Sequence, residues 1–205
     1  MALEHFYTIR ERKKNNILDA IEKCMQTQNY DKLSINDIVV AADISRGSFY
    51  NYFADKSDAV DTLVKEKING LFNNFKECIV ACNGNLFDGV YLGYNQVKDN
   101  LKNKIFRTIM KNLKFFVEIG TKIIYSDEYE NDMVSFIDWL IDNTNEGKEI
   151  LNTREKMANV VDLFISLLSN IVLKIVISDF KNNEEMNSGF DYKFNIIKVG
   201  VINSK

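Results

Sequence analysis

An all-α fold is what this 205-residue sequence predicts, and three observations carry the prediction. Proline is absent and glycine occurs only nine times, so few positions interrupt a regular backbone. Apolar residues recur at helical spacing along most of the chain. Short polar residues stand just ahead of several of those stripes, where helix N-caps belong. Hydrophobic residues at 46% and charged residues at 27% suit a chain that buries a core, and they exclude the disordered and low-complexity classes.

The first helix shows Ile17, Leu18, Ile21, Cys24 and Met25 on one face, behind a basic cluster of Arg10, Arg12, Lys13 and Lys14. Ser34 is the N-cap of the next, with Asp37 at N3 closing a capping box and Leu33 and Ile38 as a hydrophobic staple. That helix runs to Ala42. Asp43 falls where the chain must leave it, and Asp tolerates the left-handed conformation better than most residues. Ser45 repeats the device, with Ile44 and Phe49 as its staple, and opens a short helix to Phe53. Asp55, with Asp58 at N3, starts a much longer one. There Val60, Leu63, Val64, Ile68, Leu71, Phe72, Phe75, Ile79 and Cys82 hold one stripe until Asn83-Gly84-Asn85. At 1.5 Å per residue this helix spans roughly 40 Å and can link two bodies.

Beyond Asn85 the stripes are Leu86, Phe87, Val90, Tyr91, Tyr94, Val97 and Leu101, then Ile105, Phe106, Ile109, Met110 and Leu113. Met133, Phe136, Ile137, Leu140 and Ile141 make a third, ending near Glu146-Gly147. Asn152, with Glu155 at N3, caps a helix to about Lys181 that is apolar nearly all round at its centre, as expected of a helix buried on several sides. From Phe190 the spacing fits both a strand and a helix face. A lone strand would have no partner, so the tail reads as helix.

Two short capped helices joined by a tight turn are the sequence form of a helix-turn-helix. Phe49 and Phe53 point inward, which leaves Arg46, Gly47, Ser48, Tyr50, Asn51 and Tyr52 to face outward in varying degree. Ser34-Ile-Asn-Asp-Ile-Val-Val-Ala-Ala-Asp-Ile-Ser-Arg-Gly-Ser-Phe-Tyr-Asn-Tyr-Phe53, followed by Ala54-Asp-Lys-Ser-Asp-Ala-Val60, resembles the DNA-binding segment of the tetracycline-repressor (TetR) family. The resemblance covers roughly residues 9 to 65. Two positions depart from the family pattern: Asp43 replaces the usual turn glycine, and Val60 replaces a common leucine.

The resemblance implies an all-helical homodimer. A helix-turn-helix DNA-binding domain of three helices spans 8–66, with the motif at 34–53, and a helical ligand-binding and dimerisation domain spans 67–205. By the same resemblance, Ser34 and Asn36 begin the bracing helix near the phosphates and first bases. Ser45, Arg46, Gly47 and Ser48 open the recognition helix toward base edges. Tyr50 and Tyr52 correspond to phosphate-contacting hydroxyls with Asn51 beside them, and Lys56 to a phosphate lysine. The partners implied are a palindromic double-stranded DNA operator, a second copy of the chain and an unknown small-molecule effector. A repressor released by that effector is the function expected. The alternative is a regulator of the same fold whose C-terminal domain binds a partner protein.

Charge qualifies this reading. Residues 1 to 65 hold nine basic and ten acidic side chains, so the domain is net −1, unlike a typical nucleic-acid binder. Binding would have to come from Arg10, Arg12, Lys13, Lys14, Arg46 and Lys56, and the N-terminal cluster reads equally as a solvated helix start.

Other chemistry finds little support. His5, the single histidine, lies in a terminus expected to fray. Cys78 and Cys82 share a helix face, but packing accounts for them more simply than a redox or metal site. An enzyme is not expected, nor is a cofactor or a metal. Tyr91, Tyr94, Phe106, Phe116 and Trp139 could line a pocket for a flat apolar effector, with Arg107 orienting an acidic group, although aromatics at this spacing more often form core. The helix through Ile171 is expected to pair with the final helix as the main dimer surface. Three cysteines, no signal-like start and no apolar run of membrane length make a soluble cytoplasmic protein the expectation.

Overall fold

Helices begin close to where the sequence places their caps. A computed structural model describes residues 2–100, 112, 126–178 and 183–204, and all regular structure among them is helical. In chain order the described helices are α1 (Glu4–Thr8), α2 (Glu11–Thr27), α3 (Ile35–Ala41), α4 (Arg46–Tyr52), α5 (Lys56–Ala81) and α6 (Leu86–Asn100). They continue with α7 (Asp127–Asn143), α8 (Asn145–Glu149), α9 (Arg154–Ser178) and α10 (Asn183–Ile202). A 3-10 turn, Tyr30–Lys32, precedes α3. The chain divides into two compact units, Met1–Leu71 with Lys104–Ile124 and Phe72–Asn103 with Tyr125–Lys205. Among the described residues no helix is long and apolar enough to cross a membrane.

In the first unit, α2 buries the stripe read from its sequence, from Ile17 to Met25. Ile38 and Val39 of α3, Phe49, Tyr52 and Phe53 of the next turns, and Val60 and Leu63 of α5 complete the core. The α3 capping box is formed: Ser34 Oγ accepts from the Asp37 N–H at 3.2 Å, and Asp37 Oδ2 accepts from the Ser34 N–H at 2.9 Å. Asp43 takes φ +51°, the left-handed conformation its position calls for. The Ile44 N–H reaches back to the Val39 carbonyl at 3.1 Å and the Asp43 N–H to Val40 at 3.4 Å, the two bonds of a Schellman motif. Asp55 caps α5, accepting from the Asp58 N–H at 2.9 Å.

Two features of this unit differ from or add to the sequence reading. The terminus expected to fray is α1, with Phe6 fully buried against Phe53 (ring centroids 4.9 Å) and the Leu3 N–H donating to the Tyr52 carbonyl at 2.8 Å. Ala2 and Phe6 lie four residues apart and are both buried, which gives the segment an apolar face to pack. Asn112 is the second feature. Its amide nitrogen donates to the Met25 carbonyl at 3.1 Å, and its oxygen accepts from the Tyr30 N–H.

In the second unit the turn after α5 uses Asn83 and Gly84 at positive φ, 54° and 78°. The Asn145 N–H donates to the Gly84 carbonyl at 2.8 Å, and Glu146 Oε2 accepts from the Leu86 N–H at the start of α6 at 2.9 Å. Gly89 lets α6 approach α5 closely, since a Cβ there would lie 2.6 Å from Ile79 Cα. Phe87, Phe164, Phe190 and Phe194 form an aromatic core between α6, α9 and α10. Arg154 and Asp138 join α9 to α7 through two bonds of 2.6 Å. The tail is helical, with Phe190, Phe194 and Val201 buried on the face that the helical reading selects.

Three boundaries and burials are corrected. The third stripe ends at Asn143 rather than near Gly147, because Thr144 caps a separate helix, α8, by accepting from the Gly147 N–H at 2.9 Å. Thr153, not Asn152, caps α9, accepting from the Lys156 N–H at 3.3 Å, and α9 is described as far as Ser178. Nor is α9 covered all round: Leu163 is 52% exposed, while Ile171 is buried within its own chain. The stripe from Ile105 to Leu113, and Leu101 before it, lie outside the described residues.

Replacing Gly89 by Ala is expected to destabilise the chain by about 1–3 kcal/mol, because the added methyl meets backbone that cannot move aside freely. A fall in the urea midpoint relative to wild type checks it. The capping box carries a pH signature as well. The Ser34 hydroxyl and N–H, with the Gln28 amide, hold the Asp37 carboxyl below its ordinary range. A carboxylate lowered on folding stabilises above its unfolded pKa of about 3.9, and that stabilisation fades as pH falls through the folded value. Ser34→Ala should therefore cost about 1 kcal/mol at pH 7 and progressively less below pH 3.9, read from urea titrations at both ends.

Candidate nucleic-acid interface

Helix α4 is only seven residues long, and its chemistry divides cleanly by face. Phe49 and the C-cap residue Phe53 are fully buried, with ring centroids 5.3 Å apart. Opposite them Arg46, Gly47, Tyr50 and Asn51 are exposed. Arg46 Nη2 donates to the Tyr50 hydroxyl at 3.4 Å, and its guanidinium lies 5.8 Å from the centre of the Tyr50 ring. Gly47 has no crowded neighbour, since a Cβ there would meet only Ser45 Oγ at 3.8 Å. Gly47 is the second residue of α4, and a glycine in a helix gives up stability that an alanine would supply. Nothing inside the chain requires one here, so the open side of α4 is where a close approach would matter.

The serines in the expected contact set already have work within the fold. Ser45 Oγ accepts from the Ser48 N–H at 3.0 Å and pairs with Ser48 Oγ at 2.9 Å. Ser34 Oγ donates to Asp37 Oδ2 at 2.7 Å. Asn36 is exposed on α3. Lys56 Nζ donates to the Tyr30 carbonyl at 3.0 Å and sits 4.2 Å over that ring's centre. An ammonium has three donors, so this anchoring leaves two for an anion.

Tyr52 departs from the outward reading. It is 4% exposed, covered by α1, with its ring against His5 at 5.6 Å and Phe6 at 6.1 Å. The aromatic alternation could not show this, because the covering residues precede it by more than forty positions. Part of the basic cluster is also engaged internally. Lys14 pairs with Glu66 at 3.1 Å, and Lys13 lies 5.4 Å over the Tyr52 ring. Arg10 and Arg12 are exposed. Phe6, Tyr30 and Asn112 position this surface and went unnoticed in the sequence; of these, only Phe6 carried a signal, its spacing from Ala2.

Of the aromatics considered for an effector pocket, the described ones fall in two places: Tyr91 and Tyr94 both lie against Phe190, and Trp139 lies elsewhere. Tyr94 stacks on Phe190 at 3.6 Å, and burial, with a further push from Asp191, raises its hydroxyl to about 12. Tyr91 donates to Asp191 Oδ1 at 3.0 Å and lines an open cleft of ≈ 530 Å³ with Asp88, Phe194, Asn195 and Lys198. Trp139 belongs to a different cluster, 5.5 Å beneath Lys76 Nζ. Phe106, Arg107 and Phe116 lie outside the described residues. Among the described residues no group of three or more His, Cys, Asp or Glu could hold a metal ion. Cys24 and Cys78 are buried thiols raised chiefly by that burial.

Comparison with known proteins bears on this surface directly. Residues 17–61 match the family model described as bacterial regulatory proteins, tetR family. The chain is 30% identical over 121 residues to the HTH-type dhaKLM operon transcriptional activator DhaS of Lactococcus lactis subsp. lactis (strain IL1403), a match covering 57% of this chain. It spans 63% of that relative, less than two thirds of its length. Two crystal structures share the fold. The TetR family repressor AlkX of Dietzia sp., implicated in biodegradation of n-alkanes, superposes with a TM-score of 0.59 at 10% identity, over 89% of this chain and 94% of that one. The regulatory protein TetR of Rhodobacter sphaeroides gives 0.56 at 13% identity, over 88% and 95%. The matched segment contains the whole of α3 and α4 with the turn between them, and over that length the chain is similar to bacterial regulatory proteins of the tetR family.

Proposed function

We propose that the chain is a transcriptional repressor that binds a palindromic DNA operator as a homodimer and is released by a small-molecule effector. The observation that carries the DNA-binding part is the exposed face of α4, where Arg46, Tyr50 and Asn51 project from a helix whose other side is locked by Phe49 and Phe53. An arginine side chain suits the O6 and N7 acceptors of guanine, and an asparagine suits adenine. Residues 8–66 form the DNA-binding domain in this reading, and 67–205 receive the effector and the second subunit. Tyr91 and its cleft are the open space that a small polar effector could reach.

The dimer surface follows from what α9 and α10 leave uncovered. Leu163 and Ile196 are 52% and 56% exposed and line one groove with Leu167 and Ile197. A second copy of the same pair would bury them in a four-helix bundle. Two recognition helices so joined must lie about one DNA turn, ~34 Å, or a multiple apart. The name of the lactococcal relative favours a second reading, activation in place of repression. Transcription of the neighbouring gene in a deletion strain separates them, rising for a repressor and falling for an activator.

Operator binding measured by fluorescence anisotropy tests the contact residues. Arg46→Ala is expected to weaken specific binding by roughly 1–3 kcal/mol and to relax preference at one operator position. Lys56→Ala should weaken all sequences alike and lower the salt slope by about one unit. Unchanged affinity in both variants would place the recognition surface elsewhere. For the interface, Leu163→Asp and Ile196→Asp should each shift the chain to monomer in sedimentation velocity with its helical content kept. A dimer that persists in both rules this face out.

A further inference from the structure

The pairing of Arg46 with Tyr50 points to a residue role that the DNA-binding reading does not assign. Arg46 is the one cation on the outward face of α4, and a free arginine there would sample many rotamers. Its guanidinium meets Tyr50 twice, through the hydrogen bond to the hydroxyl and through the ring face. Tyr50 is itself held, its ring edge-on to the fully buried Phe49 at 5.5 Å. A tyrosine hydroxyl accepts and donates at once, so while it accepts from Arg46 its own proton is free for a phosphate oxygen. Ser48, the other side chain near the start of the helix, is paired with Ser45 and is half-buried.

We infer that Tyr50 is a positioning residue for base reading: it fixes Arg46 toward one guanine in the major groove while its hydroxyl donates to the flanking phosphate. This rests on the DNA-binding reading of α4. It differs from a plain phosphate contact, which would strengthen binding to every sequence equally and carry no base preference. Here one side chain couples register on the backbone to the identity of one base pair.

The test is the affinity of the full chain for its operator and for every single-base-pair variant of it. The proteins compared are wild type, Arg46→Ala, Tyr50→Phe, Tyr50→Ala and the Arg46→Ala/Tyr50→Ala double variant. A well-placed arginine discriminates its guanine by roughly five- to a hundredfold, and Arg46→Ala should abolish that preference. Tyr50→Ala should reduce preference at the same base pair several-fold, and Tyr50→Phe, which keeps the ring on Phe49, should do so by a smaller factor. The double variant should discriminate no worse there than Arg46→Ala alone. Because Tyr50 is exposed, unchanged circular dichroism is expected throughout.

Tyrosine variants that weaken all sequences equally and keep the guanine preference would overturn the proposal, leaving Tyr50 a phosphate contact. Altered preference at a different base pair would overturn it too, since Tyr50 would then read a base itself. Failure of the underlying reading looks different: wild type would show no sequence-specific binding, or Arg46→Ala would leave every preference unchanged, and the pair would fall with it.

Discussion

Burial of Phe49 and Phe53 is the constraint on which the recognition surface depends. A seven-residue helix does not persist alone in water, because nucleation consumes more conformational freedom than its few hydrogen bonds return. Each fully buried phenylalanine stabilises by about 1.5–3 kcal/mol against a backbone ordering cost of about 1–2 kcal/mol per residue, so the two rings offset a substantial part of it and the caps and hydrogen bonds supply more. The two rings set which way α4 faces as well as whether it forms. Phe6 completes the cluster from the far end of the unit, so the first helix of the chain is part of what holds the recognition helix in place.

Packing alone would let α4 swivel about its aromatic side, and hydrogen bonds at both ends remove that freedom. At the start, the Schellman bonds after α3 and the Ser45 cap fix the turn. At the end, the Leu3 N–H satisfies the Tyr52 carbonyl, one of the groups that a helix C-terminus leaves open. A second set of bonds ties the 3-10 turn into the same unit: Asn112 joins Met25 to Tyr30, and Lys56 joins Tyr30 to the first turn of α5. Breaking either set would leave each helix intact and change the angle between them.

Local chemistry was legible in the sequence and long-range contact was not. The Ser34, Ser45 and Asp55 caps, and the left-handed Asp43, follow from rules that span a few residues, and each is in place. The Asn152 cap is off by one because Thr153 offers the same chemistry one residue later, and no rule of local spacing separates them. Tyr52 was read outward because its covering partners, His5 and Phe6, sit far away in sequence. What covers the apolar sides of α9 is likewise beyond local spacing. An apolar circumference says that a helix is covered, and says nothing of whether the cover belongs to the same chain.

The charge of residues 1 to 65, the segment that carries α3 and α4, bears on the character of the site. Cations attract any DNA by releasing counterions, so a strongly basic domain binds all sequences well and must gain its selectivity on top of that background. Residues 1 to 65 are net −1, and of the basic cluster Lys14 is paired with Glu66 while Lys13 lies over a ring. Among the cations expected to contact DNA within residues 1 to 65, that leaves Arg10, Arg12, Arg46 and Lys56 to meet phosphates. What holds such a domain on DNA is then a small number of directed contacts, each worth a large share of the total, and these reward only the sequence and spacing that satisfy them together. A stiffly mounted, seven-residue helix suits that arrangement, because directed contacts lose their value when the groups making them are free to wander. In the dimer proposed above, reliance on directed contacts makes the geometry between the two recognition helices decisive, since each contact is lost when the spacing is wrong. In that proposed dimer, a ligand that shifts the spacing would change occupancy steeply, which is the physical property a switchable regulator needs.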